Sequence, residues 1–120
     1  MCEDNIVTIT KKIIVSSPKP ITKEEFLEKI IDFAKKIINY LVQNGCEKLG
    51  HIKFISTTDG EDYLQVSIFN LDENPSIKGV LRKTFSKVNT TLNIIEFGVD
   101  KEIISQKLDE EVTSFENYFT

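Results

Sequence analysis

Chemistry in this chain would have to start from few side chains. His51 is the single histidine, and Cys46 stands five residues before it. A histidine changes charge near neutral pH and can act as acid, base or metal ligand. A metal site needs three or four ligands, and Cys46 with His51 supplies two. Alternation along the segment after Gly50 also turns His51 away from Ile52 and Phe54, the apolar side. Ligand count and orientation favour a structural or surface histidine. A small-ligand or metal site using His51 and Cys46 is the alternative.

Two carboxylate groups, Asp59-Gly60-Glu61-Asp62 and Asp72-Glu73, could attract a hard cation. The first is too short for a calcium loop, and turns favour Asp on their own account. Lys78, Arg82, Lys83 and Lys87 form a run with no acid between residues 76 and 89. Such a run can contact phosphate or an acidic partner, or it can protect an edge strand from pairing. As one strand it would place Lys78 and Arg82 on one face and Lys83 and Lys87 on the other. Gly50 and Gly79 are isolated, and no phosphate loop, dinucleotide fingerprint, CxxC, HExxH or GxSxG occurs. The expectation is a protein that does no catalysis, with no cofactor named by its sequence.

The length of 120 residues suits one domain, with enough chain to bury a core without staples. Apolar residues make up 40% and charged residues 28%, which excludes a disordered chain, and no apolar run is long enough for a membrane helix. The formal charge of −4 weighs against nucleic acid as a partner. Cys2 and Cys46 are expected as free thiols. The acidic start Met1-Cys2-Glu3-Asp4 is not a signal peptide, so a cytoplasmic location is expected.

These side chains must be positioned by seven segments. Residues 5–15 read as a strand with Val7, Ile9, Ile13 and Val15 on one face, and Lys11 interrupts that face as at a sheet edge. Ser16 to Pro20 reads as a loop. Thr22, with Glu25 three residues on, is a capping box that opens a helix from Lys23 to Asn44, and Ile21 with Phe26 forms the staple. Its apolar columns, one through Phe26, Ile30, Phe33, Ile37 and Tyr40/Leu41, the other through Leu27, Ile31, Ala34, Ile38 and Val42, suit a helix lying across a sheet. Gly45 ends it.

His51–Thr57 and Glu61–Asn70 form a hairpin. A three-residue loop, Thr58-Asp59-Gly60, pairs Phe54 with Leu64 and Ile52 with Val66, with Gly60 at a bulge. Residues 77–88 read as an exposed strand and Thr90–Phe97 as a buried one, with Leu92, Ile94 and Phe97 as its candidate core residues. Asp100 caps a last helix from Lys101 to Tyr118, with an apolar stripe through Ile104, Leu108, Val112 (or Glu111), Phe115 and Phe119.

The pattern β-α-β-β-(β)-β-α predicts an α+β two-layer sandwich: a mainly antiparallel sheet of four or five strands with both helices on one face. The opposite face would then show Lys53, Tyr63, Gln65, Ser67 and Phe69. A half-apolar open face of this kind suits contact with another protein or with a second copy of the chain, as a homodimer.

The segment Leu49-Gly50-His51-Ile52-Lys53 resembles the GHIK strand of a small accessory domain at the C-termini of cobalamin-biosynthesis (CobW-like) GTPases, proteins that resemble metallochaperones. The similar elements are the helix before Gly45, the strand Gly50 to Ser56, Tyr63-Leu64-Gln65-Val66-Ser67, the Lys78-Gly79 step, and Leu92 to Val99 leading into the last helix. The resemblance covers about residues 20–115. It implies an accessory or tail module near corrinoid or metal trafficking. It does not imply GTP hydrolysis, because no nucleotide-binding motif is present, and it transfers no functional residue.

Three functions therefore compete: a non-catalytic interaction module, a ligand or metal binder using His51, and an RNA binder. The last rests on the order helix–three strands–helix, similar to a double-stranded-RNA-binding domain. Residues 99–104 hold only Lys101 where that family has a basic segment, which disfavours it.

Overall fold

The computed structural model describes residues 6–120. The expectations for Cys2 and the acidic N-terminus lie outside them. Seven elements follow in order: β1 (Ile6–Thr22), α1 (Lys23–Gln43), β2 (Lys48–Thr57), β3 (Tyr63–Ile68), β4 (Ser76–Val80), β5 (Thr84–Phe97) and α2 (Lys101–Tyr118). The strands form one antiparallel sheet in the order β1-β5-β2-β3-β4. This is the expected α+β sandwich with five strands.

β1 takes the edge place that Lys11 signalled, and α2 explains the exception. Lys11 points inward, and its ammonium lies 2.7 Å from Asp109 and 3.2 Å from the Ser105 hydroxyl, both on α2. The strand runs on through the segment expected as a loop. Its register passes from Ser16 opposite Lys87 to Ile21 opposite Phe85, so residues 17–20 bulge around Ser86. Pro18 and Pro20 lack amide donors, and an edge-strand bulge is where that lack costs little.

α1 begins as expected: the Thr22 hydroxyl accepts the Glu25 N–H at 3.1 Å. The Glu25 carboxylate does not complete the box; it accepts the Tyr118 hydroxyl at 2.8 Å and so joins the two helices. At the other end the Cys46 N–H returns to Leu41 and the Gly45 N–H to Val42, with Gly45 at φ +87°. These two bonds satisfy the last carbonyls of the helix. One column of α1, from Phe26 to Leu41, is buried; in the other Ala34 is buried, Leu27, Ile31 and Ile38 are half-buried, and Val42, in the last turn beyond the sheet's cover, is exposed against expectation. Phe26 meets Phe85 and Phe115, and Phe33 meets Phe54 and Phe115, at centroid distances of 5.4 to 5.9 Å. These rings tie both helices to β2 and β5 in one core.

The hairpin register differs from the expectation by two residues. Phe54 pairs with Val66, Ile52 with Ile68 and Thr57 with Tyr63, leaving a loop from Thr58 to Asp62. The cause is Asp62. Its carboxylate accepts the Thr58 hydroxyl and, at 2.7 Å, the backbone N–H of Arg82 from another connection. Gly60 has no positive φ and sits against the Arg82 guanidinium. A two-residue shift preserves the alternation, so every side chain keeps its expected face.

Residues 77–88 divide between two strands: β4, exposed throughout, and the start of β5. Gly79, at φ +78°, brings the backbone of β4 against the Tyr63 carbonyl, where a Cβ has no room. Phe97 is turned away from the core, and Glu96 occupies the inward position instead. Asp100 stands at the cap of α2 but its side chain makes no capping bond.

Candidate functional site

Alternation fixes what each side of the sheet presents. Val7, Ile9, Ile52, Phe54, Val66, Leu92 and Ile94 point to the helices and are buried. The other side carries no helix. The register aligns one row across all five strands of that side: Lys12, Thr91, Ile55, Gln65, Lys78. A neighbouring row runs Thr10, Asn93, Lys53, Ser67, Ser76. Ile14 (57% exposed), Ile55 (39%) and Tyr63 (48%) stand on this open face, and Phe69 (46%) follows β3 at its end. Isolated exposed apolar residues need no explanation, but several on one uncovered side of a sheet do.

His51 lies on the same face, half-buried. Its Nε2 is 2.7 Å from the Asn93 Oδ1, and the Asn93 amide donates to the Thr10 hydroxyl at 2.8 Å. Because Asn93 spends its N–H2 on Thr10, its oxygen is the acceptor and His51 donates from Nε2. The three side chains bridge β2, β5 and β1.

Cys46 is not brought to His51. It packs against the hydrophobic core on the helix side, at the turn after α1, and donates to the Lys48 carbonyl at 3.4 Å. Its true neighbour is Glu96, which sequence reasoning missed. Glu96 is fully buried; its Oε1 accepts the Val99 N–H at 3.0 Å, while Oε2 has no hydrogen-bond partner among the described residues. Burial pushes the Glu96 carboxyl above the ordinary range, against the pull of the Val99 N–H and the Cys46 thiol. Burial likewise raises the Cys46 thiol, and the Glu96 charge adds to it. Both effects disfavour the thiolate, the reactive form of a cysteine. Among the described residues no three His, Cys, Asp or Glu side chains converge as metal ligands.

The basic run does not form one strand. Lys78 is on the open face in β4, and Lys87 is on the same face in β5. Arg82 and Lys83 sit in the connection between those strands. Arg82 is committed internally, 2.8 Å from Asp59 and 3.5 Å from Asp62. Burial alone would raise the Asp62 carboxyl, but the Thr58 hydroxyl, the Arg82 N–H and the Arg82 charge together hold it below the ordinary range. The expected docking residues Lys53, Tyr63, Gln65 and Phe69 are thus brought to one side with Lys78 and Lys87, and Arg82 and Lys83 are not.

No protein-family model matches the chain, and no curated protein matches it. Its fold is similar to part of the Zn(II)-bound YjiA GTPase from E. coli, at a TM-score of 0.50 and 14% identity. A triple mutant of the same Zn(II)-bound GTPase is similar at a TM-score of 0.50 and 15% identity. In both cases 88% of this chain is covered but only 29% of the other. The likeness is one of fold, to a fragment of a GTPase, and a small domain within a longer GTPase is what the sequence resemblance implied.

Proposed function

We propose that the chain is a non-catalytic accessory module that docks on another protein, or on a second copy of itself, through the open face of its sheet. The observation behind this reading is the uncovered side, where Ile14, Ile55 and Tyr63 stand exposed beside half-buried Lys53 and Gln65. An antiparallel sheet can leave one side to water, and exposed apolar residues gathered on such a side mark a contact surface. The fold neighbour supports an accessory role, because there the same arrangement is 29% of a longer chain. The resemblance to CobW-like GTPases adds work near metal or corrinoid trafficking to this reading. A cytoplasmic location suits the Cys46 thiol, which forms no disulfide among the described residues.

The test compares the tagged chain with the double variant Tyr63→Asp/Phe69→Asp in an extract of its own source, with mass measured by light scattering. A protein or second copy held by the parent and released by the variant is expected. An unchanged set of bound proteins, together with an unchanged mass, contradicts the reading.

A further inference from the structure

The five strands contain one acidic residue, Glu96, and it is buried on the helix side. Every other Asp and Glu of the described residues lies in a helix or in a connection between elements. The outward strand positions, by contrast, hold Lys12, Lys48, Lys53, Lys78 and Lys87. A chain of formal charge −4 therefore has a sheet face whose fixed charge is entirely positive. Lys12 and Lys78 stand on the two outer strands, in the row whose centre is Ile55. Lys48 lies toward one end, its ammonium 5.8 Å from the Phe97 ring centroid, and Lys87 toward the other.

We propose that this face binds an acidic protein surface: apolar side chains that meet Ile55 and Tyr63, with Asp or Glu that meet the lysines around them. The proposal rests on the open face being a docking surface and names the chemistry of what docks. An apolar centre with a charged rim is the usual anatomy of a protein interface. A second copy does not fit face to face, since a two-fold contact sets one wholly positive side against another. Single-stranded nucleic acid fits poorly, because bases need aromatic platforms within a nucleotide's reach. Tyr63 and Phe69 stand at opposite ends of β3, and Gln65 and Ser67, not aromatic rings, lie between them on this side.

The experiment follows backbone amide signals of the labelled full chain during titration with three probes. These are a soluble peptide of alternating Glu and Ile, the same peptide with Lys for Glu, and oligouridylate. The acidic peptide should shift Lys53, Ile55, Gln65 and Thr91, and added salt should weaken it. The variant Lys12→Glu/Lys53→Glu/Lys78→Glu should bind it roughly tenfold or more weakly. The corresponding Gln variant, which adds no acid and guards against misfolding, should weaken it less, in the same direction. Unchanged affinity in both variants overturns the proposal, as does oligouridylate binding these residues more tightly. If the Lys peptide binds there instead, and Tyr63→Asp/Phe69→Asp abolishes that binding, the docking face stands and its charge preference falls. If no probe shifts this face, both readings fall.

Discussion

Glu116 of α2 reaches over the sheet edge and accepts the backbone N–H of Ile14 in β1 at 3.1 Å. The contact uses up an edge donor that could otherwise pair with another strand. With Lys11 held by Asp109, α2 closes one edge of the sheet and leaves the β4 edge and the open face as the accessible parts.

Glu116→Ala removes that contact. The expected loss of stability is about 0.5–1.5 kcal/mol, the size of a partly exposed hydrogen bond. Exchange of the Ile14 amide with solvent should accelerate more than that of Ile9 or Ile94, because the loss is local. A uniform acceleration across β1 and β5 contradicts the assignment.

Glu96 makes stability depend on pH in an unusual direction. Its carboxyl is raised in the folded chain, so its contribution is complete below the ordinary glutamate range and is lost as pH rises through the raised value. Glu96→Gln keeps an oxygen for the Val99 N–H and cannot ionise. The variant should match the parent near pH 4 and exceed it near pH 8 in urea midpoint. A parent whose advantage over Glu96→Gln grows with pH excludes the assignment.

Asp62 and Arg82 should be unequal partners. Asp62→Ala removes acceptors for both the Thr58 hydroxyl and the Arg82 N–H, at a cost of about 2–3 kcal/mol for hydrogen bonds to a charged group. Arg82→Ala removes only exposed ion pairs and should cost under about 1 kcal/mol. Equal midpoints for the two variants in denaturant unfolding would show that the backbone bond is unimportant.

The layer architecture was legible because local signals agreed. Thr22 with Glu25, Gly45, and the alternation of Val7, Ile9 and Ile13 each fixed an element and its face. The hairpin register was not, because the loop closes on Arg82, twenty residues from Asp62. Glu96 escaped because a carboxylate reads as solvent-facing, although it shares parity with Leu92 and Ile94. That parity was the signal that could have found it. The open face was foreseen through Lys53, Tyr63 and Gln65; its one-signed charge became visible only when the strand order set Lys12 and Lys78 in one row.

The central claim is that one side of the sheet is packed and the other is free. Relaxation of isoleucine methyl signals by a soluble gadolinium chelate measures this directly in the isolated chain. The methyls of Ile14 and Ile55 should relax strongly, while those of Ile52, Ile94 and Ile104 should not. Ile55 as protected as Ile94 in a dilute monomer would contradict the account.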